Sequence, residues 1–165
     1  MPVAVAYASY GTDGKRFFIF GGRTGVADST ATDLVQVFVP ASMSWYSSLD
    51  YVTVLPYAVS YAGSSAAYHN GKFWIVGGRL SNGTITAAVV TYDPLKNIFA
   101  TQLPLDVARL LPAVFNFQGR LHVLGGNQET EDQADLFILT DLAPTTTTTT
   151  ITTTTTITVL PTTTK

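Results

Sequence analysis

Two arginines occupy the same local position in this chain. Arg23 directly follows the doublet Gly21-Gly22, Arg79 directly follows Gly77-Gly78, and Asn127 fills that place after Gly125-Gly126. A guanidinium is a rigid fork of donors whose natural partner is a carboxylate. Inside the chain that partner would be a nearby loop acid, Asp28 or Asp33. Other residue types with chemical potential are sparse. The two histidines, His69 and His122, stand far apart, and a zinc site built on them would need carboxylates the sequence does not place. His122 fills the slot that Phe18 and Trp74 hold in related segments, so it is expected to be a packed core residue. The acids Glu129, Glu131, Asp132 and Asp135 lack the regular ligand spacing of a calcium loop and are expected to form a solvated loop. The chain has no cysteine, which excludes a disulfide framework, a thiolate metal site and a cysteine nucleophile. No Ser-His-Asp elbow or phosphate-cradling glycine loop is present. No catalytic residue, metal or cofactor is therefore expected.

Charge and hydropathy narrow the partners. Nine basic and eleven acidic residues give a formal net charge of −2, and the five Arg and four Lys are scattered. That leaves no footprint for a phosphate backbone, so nucleic acid is not an expected partner. No apolar run approaches the roughly 18 residues of a membrane span, and no transmembrane segment is expected. The N-terminal residues lack a basic region ahead of an apolar one, so no signal peptide is visible. With 46% hydrophobic and only 12% charged residues, most strands must be buried.

The elements that would position the arginines emerge from an internal repeat. Three segments align: Asp13–Gly22, Asn70–Gly78 and Gln118–Gly126, each a turn residue, a glycine, a basic residue, a short apolar run and a glycine doublet. The first carries one extra residue, assigned to the run. The doublets stand 56 and then 48 residues apart. Asp-Gly and Asn-Gly suit two-residue hairpin turns, whose central positions need positive φ. Before each turn lies an apolar or small-residue stretch: Val3–Tyr10, Ser64–His69 and Leu111–Phe117. The near-continuous apolar run after it suits a strand buried on both faces. A doublet ends the run where a side chain would obstruct a close backbone approach or a positive φ. Third strands are expected over Leu34–Val39, Ala87–Tyr92 and Leu136–Thr140. In the first two units an aromatic recurs seven residues later, Phe38 with Trp45 and Tyr92 with Phe99, across a run of turn residues. This predicts a third-to-fourth-strand hairpin with facing rings.

Together these features resemble the kelch repeat family, whose blades carry a Gly-Gly doublet at the end of the second strand, an aromatic on the third and a tryptophan beyond it. The doublets match at all three sites, Phe38 and Tyr92 match the aromatic, Trp45 matches the tryptophan, and Phe99 replaces it. The resemblance spans Val3 to about Leu142. It implies an all-β fold of kelch-type β-propeller blades, two of them full four-stranded antiparallel sheets and the third incomplete. Residues 1–142 are expected to form that partial propeller, in units of about 3–50, 64–103 and 111–142, and residues 143–165 to form a disordered threonine-rich tail. In the third unit the aromatic and tryptophan positions fall on Thr140 and Thr147.

The resemblance also implies a function. Residues after the doublets and in the loops before each first strand would line one mouth of the channel. Arg23, Arg79 and Asn127 would converge there, joined by Ser64, Ser65 and Arg109, to hold an acidic peptide or a sugar carboxylate. The expected activity is non-enzymatic binding of a protein or glycan partner. The alternative is part of a carbohydrate-active kelch enzyme, a sugar mutarotase or a galactose-oxidase-like protein, the oxidase disfavoured because its cross-link needs a cysteine. Propellers close with about 4–8 blades, and the resemblance implies six or seven. Three cannot close, so further blades are expected from a longer chain or, less readily, a second copy.

The tail, almost wholly threonine from Thr145 to Thr164, reads as a low-complexity linker or as a mucin-like stalk that would lie outside the cell. Asn82-Gly83-Thr84 is an N-glycosylation sequon in the loop after the second doublet.

Overall fold

A computed structural model describes residues 1–63, 66–129, 132 and 135–139. Ser64, Ser65, Glu131, Thr140 and the whole threonine tail lie outside the described residues, as do the expectations attached to them.

The chain is all-β, apart from single 3-10 turns at Asp28–Thr30 and Pro40–Ser42. The first sheet runs in sequence order through β1 (Ser9–Thr12), β2 (Phe17–Phe20), β3 (Val35–Val39) and β4 (Ser44–Ser47). A two-residue strand, β5 (Val59–Ser60), then precedes the second sheet. That sheet contains β6 (Ala67–His69), β7 (Lys72–Val76), β9 (Val89–Asp93) and β10 (Ile98–Thr101). Between β7 and β9, the short β8 (Arg79–Leu80) turns away to pair with β5. The third sheet has three described strands, β11 (Ala113–Phe117), β12 (Arg120–Leu124) and β13 (Leu136–Leu139). All pairings are antiparallel.

The hairpin chemistry explains the registers. Asn70 and Gly71 (φ +49° and +77°) make a two-residue turn, as do Gln118 and Gly119 (φ +50° and +72°). Both positive dihedrals belong to the primed turn that follows strand twist. The first unit differs from expectation: its extra residue sits in the turn and leaves the apolar run unchanged. Thr12 pairs with Phe17, leaving Asp13–Arg16 as a four-residue loop. Asp13 holds that loop by accepting from the backbone of Lys15 and Arg16 while its carboxylate pairs with the Arg16 guanidinium at 2.7 Å. The outer hairpins bring Phe38 opposite Trp45, ring centroids 5.0 Å apart, and Tyr92 opposite Phe99 at 4.7 Å.

The three sheets stack, and each apolar run is buried according to its place in the stack. In the middle sheet β7 is buried on both faces, Phe73 and Ile75 toward the first sheet and Trp74 and Val76 toward the third. The first interface is aromatic: Phe18 and Phe20 meet Phe73 and Tyr92 at centroid distances of 4.5–6.0 Å. The second joins Trp74, Val76 and Val89 to Val114, Leu121 and Val123. Each fully buried side chain of this size contributes about 1.5–3 kcal/mol. In the end sheets the same run alternates, because among the described residues only one face has a neighbour. This corrects the two-face burial expected of all three runs. It also corrects His122, expected in the core by analogy with Trp74. It is half-buried on the face of the third sheet that no other described sheet covers, stacked on Phe115 at 5.5 Å.

That face also exposes Leu124, Leu136 and Ile138, with Phe117 at its edge, and the first sheet leaves Phe17 and Tyr10 open at the other end. The chain expressed alone is expected to bind a hydrophobic dye. Replacing Phe115, Leu136 and Ile138 together by threonine, which keeps strand propensity, should reduce the fluorescence several-fold. An unchanged signal would place the exposed apolar surface elsewhere.

Candidate functional site

The first two doublets lie where a sheet meets the segment entering the next unit. Gly21 donates to Leu34 O within its own sheet, and Gly22 donates across to Val59 O, both at 2.8 Å. Gly77 and Gly78 repeat this, toward Ala88 O at 2.9 Å and Arg109 O at 2.8 Å. The crossing carbonyl comes so near that a Cβ on Gly21 would lie 2.4 Å from Val59 O, and one on Gly77 2.4 Å from Arg109 O. Positive φ and lack of space both demand glycine here.

The residue after each doublet is pinned by backbone pairing. Arg23 exchanges two hydrogen bonds with Ala6 (2.8 and 2.9 Å), Arg79 pairs with Ser60 in β8 and β5, and Asn127 exchanges two with Leu110 (3.1 and 2.8 Å). The residues next to these partners are Tyr7, Tyr61 and Leu111, all left-handed with φ +55°, +53° and +49°. They are themselves linked, Tyr61 N to Tyr7 O at 2.9 Å and Leu111 N to Tyr61 O at 2.8 Å. A left-handed L-residue costs roughly 1–2 kcal/mol, so three in equivalent places mark a strained line joining the units. Nothing in the residues immediately around them signals it. Aligning the chain on its doublets brings Tyr7, Tyr61 and Leu111 into near register, which is the one pattern that points there.

The guanidiniums meet over this line. Arg23 lies 4.6 Å from the Tyr7 ring centroid and 4.9 Å from that of Tyr61, and the two rings stack at 4.2 Å. Its Nη1 donates to Val26 O at 2.8 Å and stands 3.8 Å from Asp28 Oδ1. Arg79 Nη1 approaches the other oxygen of Asp28 at 3.4 Å, and its Nη2 donates to Glu129. The bond to Glu129 holds the Arg79 guanidinium still more firmly protonated than usual. Of the two loop acids named from sequence, Asp28 is the one engaged. Arg23, Asp28, Arg79 and Glu129 thus form an alternating chain of charges. Glu129, whose backbone N–H approaches Asn127 Oδ1 at 3.4 Å, is an acid that the sequence alone places in a solvated loop. Beside the cluster lies an open groove of about 560 Å³ walled by residues 4–7 and 23–26.

Arg109 does not belong to this surface, and the structure corrects its place. It is 0% exposed. Its guanidinium donates to Asp135 through both oxygens (2.8 and 3.1 Å) and to Gly125 O at 2.8 Å, and it lies 4.6 Å from the Phe137 ring. It occupies the junction position that Val59 fills between the first two units, and it fastens the third sheet. Asn82 is exposed, its side-chain oxygen accepting the Thr84 N–H at 3.0 Å in a tight turn. Among the described residues no helix is long and apolar enough to cross a membrane.

No family profile matches the chain. It is 29% identical over 144 residues to alpha-scruin of Limulus polyphemus, an alignment that covers 79% of this chain and 14% of that protein. The chain is thus a stack of antiparallel sheets similar to one-seventh of alpha-scruin, a kelch-repeat protein.

Proposed function

We propose that the chain is a non-enzymatic, kelch-type interaction module in which Arg23 and Arg79 hold an acidic segment of a protein partner. The observation that carries this reading is the convergence of the two guanidiniums, from successive units, on one carboxylate group, that of Asp28. Two cations from different elements facing one acid make a receptor for carboxylate chemistry. The similarity to a kelch-repeat protein supports a protein-interaction role. Further units of the same repeat cover the two open sheet faces in this reading, the outer face of the third sheet being the counterpart of the middle-sheet face that the third sheet itself covers.

The test is the double variant Arg23→Ala/Arg79→Ala on peptide and glycan arrays. It should lose the acidic peptides bound by the parent chain while melting cooperatively. Retained binding would move the site away from the arginines. Loss confined to acidic glycans would reassign the partner class.

A further inference from the structure

We infer that Asp28 is a built-in occupant of the arginine site, a carboxylate of the chain held where a partner's carboxylate docks, so that binding proceeds by its displacement. This deepens the reading of Arg23 and Arg79 as the binding pair and rests on it.

The cations are mounted rigidly and the acids are not. Arg23 and Arg79 are fixed by backbone bridges to Ala6 and Ser60, and Arg23 is further held against two tyrosine rings. Their side chains are only 13% and 15% exposed. Asp28 is 35% exposed and rides on a single 3-10 turn, and Glu129, 55% exposed, stands in a left-handed backbone (φ +75°). The Asp28 turn is closed by its own short-range bonds, Thr30 N to Ala27 O at 3.0 Å and Ala31 N to Asp28 O at 2.9 Å. It therefore keeps its shape if the carboxylate swings out. Contact distances agree with a loosely held acid. At 3.8 and 3.4 Å, Asp28 straddles both guanidiniums without the 2.7–2.9 Å bonds that a tightly docked carboxylate makes. An incoming carboxylate free to approach from the neighbouring groove can make those shorter bonds. Two Arg and two acid side chains leave the resting cluster with no excess charge, which suppresses weak, indiscriminate binding of anions.

Affinity for acetylated, amidated hexaglutamate, measured by fluorescence anisotropy at low salt, tests this. Asp28→Asn keeps size and removes the competing charge. It should tighten binding about tenfold, equivalent to about 1.4 kcal/mol. Asp50→Asn, an equal charge change beyond the outer strand of the first sheet, should leave affinity unchanged. Hexaglutamine should bind neither protein. Equal tightening in both variants would reduce the effect to net charge and overturn the inference. So would an unchanged or weaker affinity in Asp28→Asn while Arg23→Ala/Arg79→Ala abolishes binding, an outcome that leaves the arginine site standing. Persistence of binding in the double arginine variant would instead remove the site itself. Should Asp28→Asn fold poorly, Asp28→Ser provides the same comparison.

Discussion

Gly77→Val is expected to lower the melting temperature by about 10 °C, with a destabilisation of roughly 3–4 kcal/mol. Two independent costs add at this position. Valine must adopt φ +67°, where a β-branched side chain is a steric outlier. Its Cβ must also enter a space where Arg109 O stands only 2.4 Å away. That carbonyl cannot retreat cheaply, because it accepts the Gly78 N–H that ties the second sheet to the third. The change therefore strikes the contact between units as well as the strand end. Gly71→Ala separates the two costs. Gly71 has φ +77°, but a Cβ there would meet nothing within 4 Å, so alanine should cost only its dihedral strain, about 1 kcal/mol. Equal losses at both positions would mean that the close approach contributes nothing. A wild-type melt for Gly77→Val would overturn the proposed role of the doublets.

Asp135→Ala is expected to cost about 3 kcal/mol, the low end for breaking a buried ion pair, because Asp135 is 42% exposed and partly screened by water. The loss arises less from the missing attraction than from what is left behind, a guanidinium with no access to solvent. Arg109→Met, which fills similar space without charge, should cost less, and the double variant Arg109→Met/Asp135→Ala less than Asp135→Ala alone. Denaturant melts of the four proteins measure this cycle. Strictly additive losses would show that the two residues do not act as a pair. The pairing also sets a pH dependence. Arg109, by hydrogen bonding, holds the Asp135 carboxyl below the usual carboxylate range. Its stabilisation is fully present above the unfolded value, about 3.9, and is lost as pH falls through the lower folded value. Asp135→Ala should therefore remove part of the acid sensitivity of the wild type.

Arginines at 23, 79 and 109 show how far sequence carries the reading of this chain. The repeat itself was legible, because hairpin glycines, doublets and the seven-residue aromatic spacing are local features whose physics acts over a few residues. The registers of Phe38 with Trp45 and Tyr92 with Phe99 follow from them. Burial was not legible to the same degree. Phe18, Trp74 and His122 hold one repeat position, yet the first two are buried by a following sheet and His122 has none among the described residues. No local pattern encodes the presence of a neighbour. Nor could the sequence separate Arg109 from Arg23 and Arg79. All three lie between the main hairpins of the sheets, Arg79 in the short β8, but the Gly125 carbonyl and the Asp135 carboxylate draw Arg109 into a junction where the equivalent residue is Val59. Local sequence encoded the repeated hairpins, the two-residue turns of the second and third units and the need for glycine where backbones cross. It did not encode the four-residue first turn, the start of β1 at Ser9 where a strand over Val3–Tyr10 was expected, or the short pair β5 and β8. The stacking of sheets decided which arginines face Asp28 and which is sealed inside, because burial and charge pairing depend on residues brought together from distant segments.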